Sequence, residues 1–548
     1  MESPSVNKQA YFLGILMAFM LALASVASAQ DAGNQAPSSP EVNALLTQLT
    51  DAGFNQSIPI LEQLEATAGE AMLPVFKTML AGDLYYLKAD KSLMAVQTVA
   101  GKKRYTDVFS GEALEGISSS AISKIKVNNK LRGVLRQAIS RIQLNASKAS
   151  AREQAILSLL SELDDSIIDT LKVRQTVEDD DDVLDIMSVA FAMHDLVNSE
   201  HTQTRIDAIA LLEQRLENDV RNLLTRIKQD EEDARVKAAA ARALKTIEQR
   251  VENFQFIDKL FFGLSLGSVL LLAAIGLAIT FGVMGVINMA HGEMIMLGAY
   301  TTYVVQLLMP NSIDYSIWVA IPAAFVVSGC VGILIERGVI RHLHGRPLET
   351  LLATFGISLI LQQLVRTIFS PLNRQVASPS WMSGSVDINP VLSLTLNRLY
   401  ILAFALLVFG LLLMILNKTN LGLNVRAVAQ NRNMAKAMGI RTDRVDALTF
   451  GLGSGIAGMA GVALSQLTNV GPNLGQAYII DSFMVVVFGG VGNLWGTLVA
   501  GFSLGIANKF IEPITGAVLA SILVLIFIIL FIQKRPKGLF PQKGRAAE

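Results

Sequence analysis

The run Ser265-Leu-Gly-Ser-Val-Leu-Leu-Leu-Ala-Ala-Ile-Gly-Leu-Ala-Ile-Thr280 passes directly into Phe281-Gly-Val-Met-Gly285-Val-Ile-Asn288-Met-Ala-His291-Gly-Glu293-Met-Ile-Met-Leu-Gly-Ala-Tyr300. The first part holds no charge and forms the heart of an apolar stretch over 257–281. A helix needs about 20 such residues to cross a bilayer. The second part regains apolar character over 283–308, yet it opens with Gly285, Asn288, His291 and Glu293. Lipid offers backbone groups no partner, so a break of this kind belongs inside protein or along a cavity. The stretch specifies a chain that crosses a membrane and is interrupted at depth.

Further apolar runs lie at 316–336, 348–369, 399–416, 448–467 and 514–533, and 479–510 is apolar but broken at Gly489-Gly-Val-Gly-Asn493. The chain has 548 residues, 51% of them hydrophobic and 17% charged, with a mean hydropathy of +0.44. Ordinary soluble domains carry roughly 25% charged residues, so a wholly soluble protein is excluded, and so is extended disorder. The single cysteine, Cys330, excludes a disulfide framework and a cysteine zinc site, and five histidines leave little room for a histidine-rich metal centre. No Gly-x4-Gly-Lys-[Ser/Thr] phosphate loop occurs, so any ATP is hydrolysed by another chain and no cofactor is expected on this one.

The zero net charge conceals two halves. Residues 30–255 hold 26 Lys and Arg against 34 Asp and Glu, whereas 256–548 hold 19 against 11. The basic residues of the second half sit between apolar runs: Arg337, Arg341 and Arg346; Lys418, Arg426, Arg432, Lys436, Arg441 and Arg444; and Lys534, Arg535, Lys537, Lys543 and Arg545 in the tail. Basic loops stay on the cytoplasmic side. That orientation puts 30–255 on the far side and requires 479–510 to begin and end there, as two short crossings or as a re-entrant pair. At the start, Lys8, an apolar run from Tyr11 and Ala27-Ser28-Ala29 fit a signal peptide over 1–29. Nothing in the composition suits nucleic acid.

After a polar tether, 30–255 reads as helical nearly throughout, with apolar residues at three and four spacing such as Ile156, Leu159, Leu160 and Leu163. Segments beginning at Arg152, Arg205 and Arg235 share a frame of one basic residue followed by small and apolar ones. The last resembles the second helix of HEAT-type repeats, which stack because one helix pair cannot bury its own apolar face. The fold class expected is all-α: an α-solenoid-like soluble domain over 30–255, then a polytopic membrane bundle with broken or re-entrant segments over 256–548. The acidic run Glu178–Asp182 reads as a solvated loop.

Two sets of residues are candidates for function. Asn288, His291 and Glu293 in one interruption, with Gly489, Gly490, Gly492 and Asn493 in the other, form a substrate path if paired breaks expose backbone at depth. The same polar side chains serve equally well as ties between helices. The second set lies between two spans on the basic side: Arg426, Gln430, Asn431, Met434, Ala435, Met438 and Gly439. It reads as an amphipathic helix closed by Gly439, with an Ala/Met face for a docking partner.

The run Asn288–Tyr300, the loop Arg426–Gly439 and Asp481-Ser-Phe-Met-Val-Val-Val-Phe-Gly-Gly-Val-Gly492 resemble membrane subunits of the branched-chain amino acid class of ABC importers, a likeness that covers 257–540. With Leu359-Ile-Leu-Gln-Gln-Leu-Val-Arg366, Pro379-Ser-Trp-Met-Ser-Gly384 and a long exported helical extension, the chain is most similar to the urea-transporting subfamily. The resemblance implies a multi-pass protein of the bacterial inner membrane, in contact with bilayer lipid and with 30–255 in the periplasm. It also implies a second homologous permease, two cytoplasmic ATPase subunits that grip the Arg426–Gly439 loop, and a periplasmic urea-binding protein. The chain itself is then no enzyme. A branched-chain amino acid or short amide permease, a passive amide channel and a membrane-anchored scaffold are the alternatives.

Overall fold

A computed structural model describes residues 39–540, apart from 100–101, 115–116, 118–120 and 344. The expected signal peptide over 1–29 lies outside the described residues. Packing separates two units, divided between Phe254 and Gln255, with the short segment Asn389–Val391 grouped with the N-terminal one. The division falls inside one continuous helix, Ala234–Met284, which supplies residues to both.

The N-terminal unit begins with α1 (Pro40–Asp51), α2 (Phe54–Ala68) and α3 (Leu73–Ala81). The expectation of helix throughout then fails. Gly82, at φ +79°, ends α3, and β1 (Leu84–Leu87), β2 (Leu93–Val99), β3 (Lys102–Asp107) and β4 (Ile122–Lys124) form an antiparallel sheet in the order β3-β2-β1-β4. Tyr85-Tyr86 and the Leu93–Val99 run carry aromatic and β-branched residues that suit a pleated surface. Alternation divides them: Leu84 and Leu93 join the core of α1–α3, while Met94, Val96 and Ile122 form a second cluster behind. Helix dominates the chain as expected, but the N-terminal unit also contains this sheet.

Seven helices follow: α4 (Asn129–Gln143), α5 (Ala149–Leu159), α6 (Asp165–Gln175), α7 (Asp181–Asn198), α8 (Thr202–Leu212), α9 (Asn218–Asp230) and the shared α10 (Ala234–Met284). Their repeat has three helices, not the two of a HEAT-type pair. Arg152 on α5 forms a bidentate ion pair with Glu178, at 2.6 and 2.8 Å, and Arg205 on α8 pairs in the same way with Glu231, each across 26 residues. Glu178 also accepts from the backbone N–H of Asp180, and Glu231 from that of Asp233; both aspartates then cap the next helix. Buried residues follow the same register: Ala155 and Ala208, Ile156 and Ile209, Leu159 and Leu212, Leu171 and Leu224, Val183 and Val236. Arg235 therefore stands next to the second cap and is no third copy. Glu178 is buried, so the acidic run is not simply a solvated loop.

The second unit contains the rest of α10, then α11 (His291–Leu308), α12 (Ile313–Gly338), α13 (Pro347–Phe369), a hairpin of β5 (Ser385–Asn389) and β6 (Leu392–Thr395), α14 (Leu396–Lys418), α15 (Asn420–Gln430), α16 (Arg432–Ala437), α17 (Thr442–Ser465), α18 (Leu474–Gly489), α19 (Leu494–Thr515) and α20 (Ala517–Lys534). Among the described residues, α10, α12, α13, α14, α17, α19 and α20 are long and apolar enough to cross a membrane, and α18 is a shorter apolar helix. The span expected at 283–308 is different. Gly285 takes φ +67°, Asn288 turns back on the N–H of Ala290, and helix resumes only at His291. The Gly489–Asn493 break separates α18 from α19, as its glycines predict.

Alpha-17 is the centre of this unit. Ideal Cβ atoms placed on its glycines would strike neighbouring backbone: Gly453 meets Gly276 of α10, Gly458 meets Ala324 of α12, and Gly461 meets Ile295 of α11 at 2.0 Å. On the other side, Gly263 and Gly267 of α10 lie against Ile506, Phe502 and Gly501 of α19. Small residues let membrane helices approach this closely. The basic loops gather at one end: Arg341 of the α12–α13 loop bonds Asp443 at the start of α17 at 3.0 Å.

The Arg152–Glu178 pair gives a direct test. The guanidinium holds the Glu178 carboxyl down to about 2. A depressed carboxyl contributes stability above its unfolded value of about 4.3, and the contribution is lost as pH falls from there towards 2. Arg152→Ala leaves the buried carboxylate with only Arg174, which donates to it at 3.2 Å, and is expected to cost about 2–3 kcal/mol. Thermal unfolding followed by circular dichroism at neutral pH measures the loss, and the difference from wild type shrinks at pH 3.

Candidate functional site

Alpha-11 starts inside the bundle, beside the middle of α10: His291 donates through Nε2 to the carbonyl of Ala273, 2.9 Å away. Two residues further, on another face, Glu293 is buried against α13. Its Oε1 accepts from the Ser358 hydroxyl at 2.9 Å and the Gln362 amide at 2.7 Å. Thr350, Thr354, Ser358 and Gln362 form a buried polar stripe at four-residue spacing along α13, and Thr354 accepts the backbone N–H of Met289 at 3.1 Å. Sequence reading missed Thr354, Ser358 and Gln362, although their spacing puts them on one helix face.

Asn288, His291 and Glu293 are all buried but turn to different partners, the local backbone, α10 and α13, and each has a loose end. Asn288 Nδ2, His291 Nδ1 and Glu293 Oε2 are buried with no hydrogen-bond partner among the described residues. An unpaired polar atom at such depth is costly. The nonhelical segment 285–290 approaches this point from the basic end. A second nonhelical segment, 466–473, approaches from the opposite end, held there by backbone bonds between Arg374 and Val470 and by Arg366 donating to Asn473 at 2.7 Å. The helices that follow, α11 and α18, cross at Gly292 and Gly475, where a Cβ on Gly475 would lie 1.9 Å from the Gly292 carbonyl oxygen.

The partner of the first break is therefore 466–475, and not Gly489–Asn493. Gly471-Pro-Asn473 was the available signal. Gly489 instead packs on Gly496, Gly490 on Gly538 and Phe540 of the tail, and the Asn493 amide donates to the Phe540 carbonyl at 3.1 Å. Gly492 and Asn493 join Arg426, Gly282 and Trp495 around a cavity of about 740 Å³ at the basic end. Two of the expected path residues thus adjoin the expected docking loop.

That loop is two helices rather than one. Asn431 leaves helical geometry and its side chain caps α16 at the N–H of Met434. Val425, Val428 and Ala435 face inward, Arg432 pairs with Asp446 of α17, and Arg426 donates to the Leu416 carbonyl. Gly439 closes α16 at φ +85°, with Ile440 donating to Ala435 at 3.0 Å. Gln430 is exposed, and Met434 and Met438 stand 61% and 77% exposed on the elbow. Both methionines lie beside the basic residues of the loop, Lys436 and Arg441. No group of three or more potential metal ligands occurs among the described residues.

A family model described as the branched-chain amino acid transport system permease component matches residues 259–532. The chain belongs to this family. It is 32% identical over 296 residues to the high-affinity branched-chain amino acid transport system permease protein LivH of Salmonella typhimurium, covering 52% of this chain and 95% of that one. It is 30% identical over 299 residues to the permease BraD of Pseudomonas aeruginosa, covering 53% and 96%. A shorter likeness, 31% over 110 residues, links it to the ribose import permease RbsC of Bacillus subtilis, covering 19% and 34%. No solved structure matches. With seven apolar helices, the family member is a multi-pass membrane protein.

The crossing is open to test. Gly475→Ala forces backbone apart and is expected to cost about 1–3 kcal/mol, lowering the yield of monodisperse protein several-fold. Gly356→Ala is the control, since a Cβ there meets nothing within 4 Å; size-exclusion profiles compare the two.

Proposed function

We propose that the chain is the membrane-spanning permease subunit of an ABC importer for urea or a closely related small amide. The observation that carries the solute assignment is the pair of orphaned atoms at the start of α11: a donor, Asn288 Nδ2, and an acceptor, Glu293 Oε2. Urea offers the complement, N–H donors beside one carbonyl, and it is neutral like Ser358 and Gln362, the groups that already bond Glu293. A site built for hydrogen bonding rejects solutes that leave its groups unpaired. The N-terminal unit supports the same reading. The amino acid permeases matched here are covered almost completely by about half of this chain, whereas the urea-transporting subfamily that it resembles carries an exported helical extension.

In this reading the basic loops face the cytoplasm and residues 30–255 face the periplasm, as the distribution of Lys and Arg favours. Solute arrives from a periplasmic binding protein, a second homologous permease completes the route, and two ATPases seat against the α15–α16 elbow through Met434 and Met438. A second reading is favoured by the relatives themselves: LivH and BraD are named for branched-chain amino acids, and an amino acid would use the same crossing.

Labelled urea uptake is expected to fail in a strain that lacks this chain, to return on complementation and to stop on ATP depletion. Uptake that survives ATP depletion would indicate a passive channel, and restored leucine uptake without urea uptake would select the second reading. Glu293→Gln is expected to reduce uptake about tenfold, the scale of one charge-assisted hydrogen bond, with expression unchanged.

The elbow has its own test. Asp and Asn both tolerate a left-handed backbone better than most residues, so Gly439→Asp and Gly439→Asn differ chiefly in charge. Gly439→Asp is expected to lose co-purifying ATPase subunits and uptake, while Gly439→Asn keeps most of both. Retention of the ATPases by Gly439→Asp would remove the elbow from the docking surface.

A further inference from the structure

A second polar cavity, of about 310 Å³, lies between α10, α18, α19 and α20, away from the Glu293 cluster. Leu266, Met484, Leu504 and Val524 give it apolar walls, and its polar groups are unusual for a helix bundle in lipid. Lys509 and Glu512 satisfy each other at 2.6 Å, and the Asn508 amide donates to the Ser521 hydroxyl at 3.3 Å. Asp481 has no hydrogen-bond or ion-pair partner among the described residues, although its neighbours in the cavity include Tyr478, Asn508 and Lys509. A carboxylate in this setting, with the nearby cation already committed, lacks N–H donors.

The position of the cavity is equally informative. Glu512 and Ala517 in its wall flank the Gly516 turn between α19 and α20, at the end opposite the basic loops. Tyr478, another wall residue, lies one turn beyond Gly475, and Ile479 touches the Gly292 position of the crossing. The cavity therefore lies between the Gly516 turn, at the end where solute would arrive, and Tyr478, one turn from the crossing.

We propose that this cavity is a binding station for the N–H-bearing head of a small solute, with Asp481 accepting its N–H groups and Asn508 and Tyr478 completing the contact. The proposal rests on the reading of the chain as an importer and extends the route outward from Glu293. The shared chemistry is an N–H donor beside a carboxylate. It is met by the amide groups of urea and by the ammonium group of an amino acid, whose aliphatic side chain would lie on the leucine and valine walls.

Cys330 is the only cysteine, so Cys330→Ala provides a background for labelling. In cells carrying the assembled importer, Ser521→Cys in that background is expected to react with a membrane-impermeant maleimide added from outside. Saturating urea is expected to slow the reaction at least several-fold. Protection by leucine in place of urea supports the station and assigns its solute to an amino acid; failed urea uptake by the wild type would then overturn the urea reading while the station stands. Adding Asp481→Asn is expected to abolish protection and to lower uptake at limiting solute by about tenfold, with ATPase subunits still co-purifying. A cysteine that does not react, or reacts at a rate that neither solute changes, overturns the proposal, and that outcome requires no substitution at Asp481.

Discussion

The membrane unit depends on backbone meeting backbone. Lipid tails are as apolar as leucine, so helices in a bilayer gain little from burying apolar side chains and must gain from close contact. Alpha-17 satisfies this with Gly453, Gly458 and Gly461, each against the main chain of a different helix, and α10 does the same towards α19 through Gly263 and Gly267. Contacts at this distance have no slack, because interiors are already packed like crystals. One methyl group displaces a helix, and the displacement passes to the next crossing.

The same closeness explains where polar atoms collect. Helices α11 and α18 start within the bundle, so their first N–H groups have no intrahelical partner. The chain reaches those starts by nonhelical segments from opposite ends, and Gly292 and Gly475 allow the two starts to touch. Asn288, Glu293, Ser358 and Gln362 collect beside them. Unwound backbone and buried polar side chains are tolerated at membrane depth only where protein or a cavity lines them, so the crossing gathers both kinds of cost in one place.

Much of this was legible in the sequence, and the gaps have physical causes. Apolar length located most of the spans, and Gly439 marked the end of the elbow because a left-handed turn needs glycine. The 283–308 stretch was harder. Hydropathy averages over a window, and the apolar residues after Met294 outweigh the polar ones before it, which hides the late start at His291. Gly489–Asn493 and Gly471–Asn473 are equally good breaks in sequence; only the tail residues Gly538 and Phe540 decide that the first sits at the basic end. In the N-terminal unit, Arg152 and Arg205 were visible, but their meaning lies in Glu178 and Glu231, 26 residues away. The sheet at 84–124 escaped notice because its short strands are set among strongly periodic helices.

The elbow and the crossing are far apart in sequence, yet α17 serves both. Its first turns hold Asp443 and Asp446, paired with Arg341 and with Arg432 of α16. Its middle carries Gly453 and Gly458, against α10 beside His291 and against α11 at Gly298. The elbow is thus tied through Arg432 and Asp446 to the helix whose glycines leave it least room to move alone. Close backbone contact makes α10, α11 and α17 one packed group, and α11 carries Glu293. Alpha-13, which holds the other half of that hydrogen-bond cluster, has an outer face of exposed Leu348, Leu352 and Ile360 and no comparable glycine contacts. The weakest seam around Glu293 thus lies between α11 and α13. Ser358 and Gln362 are the bonds that cross it.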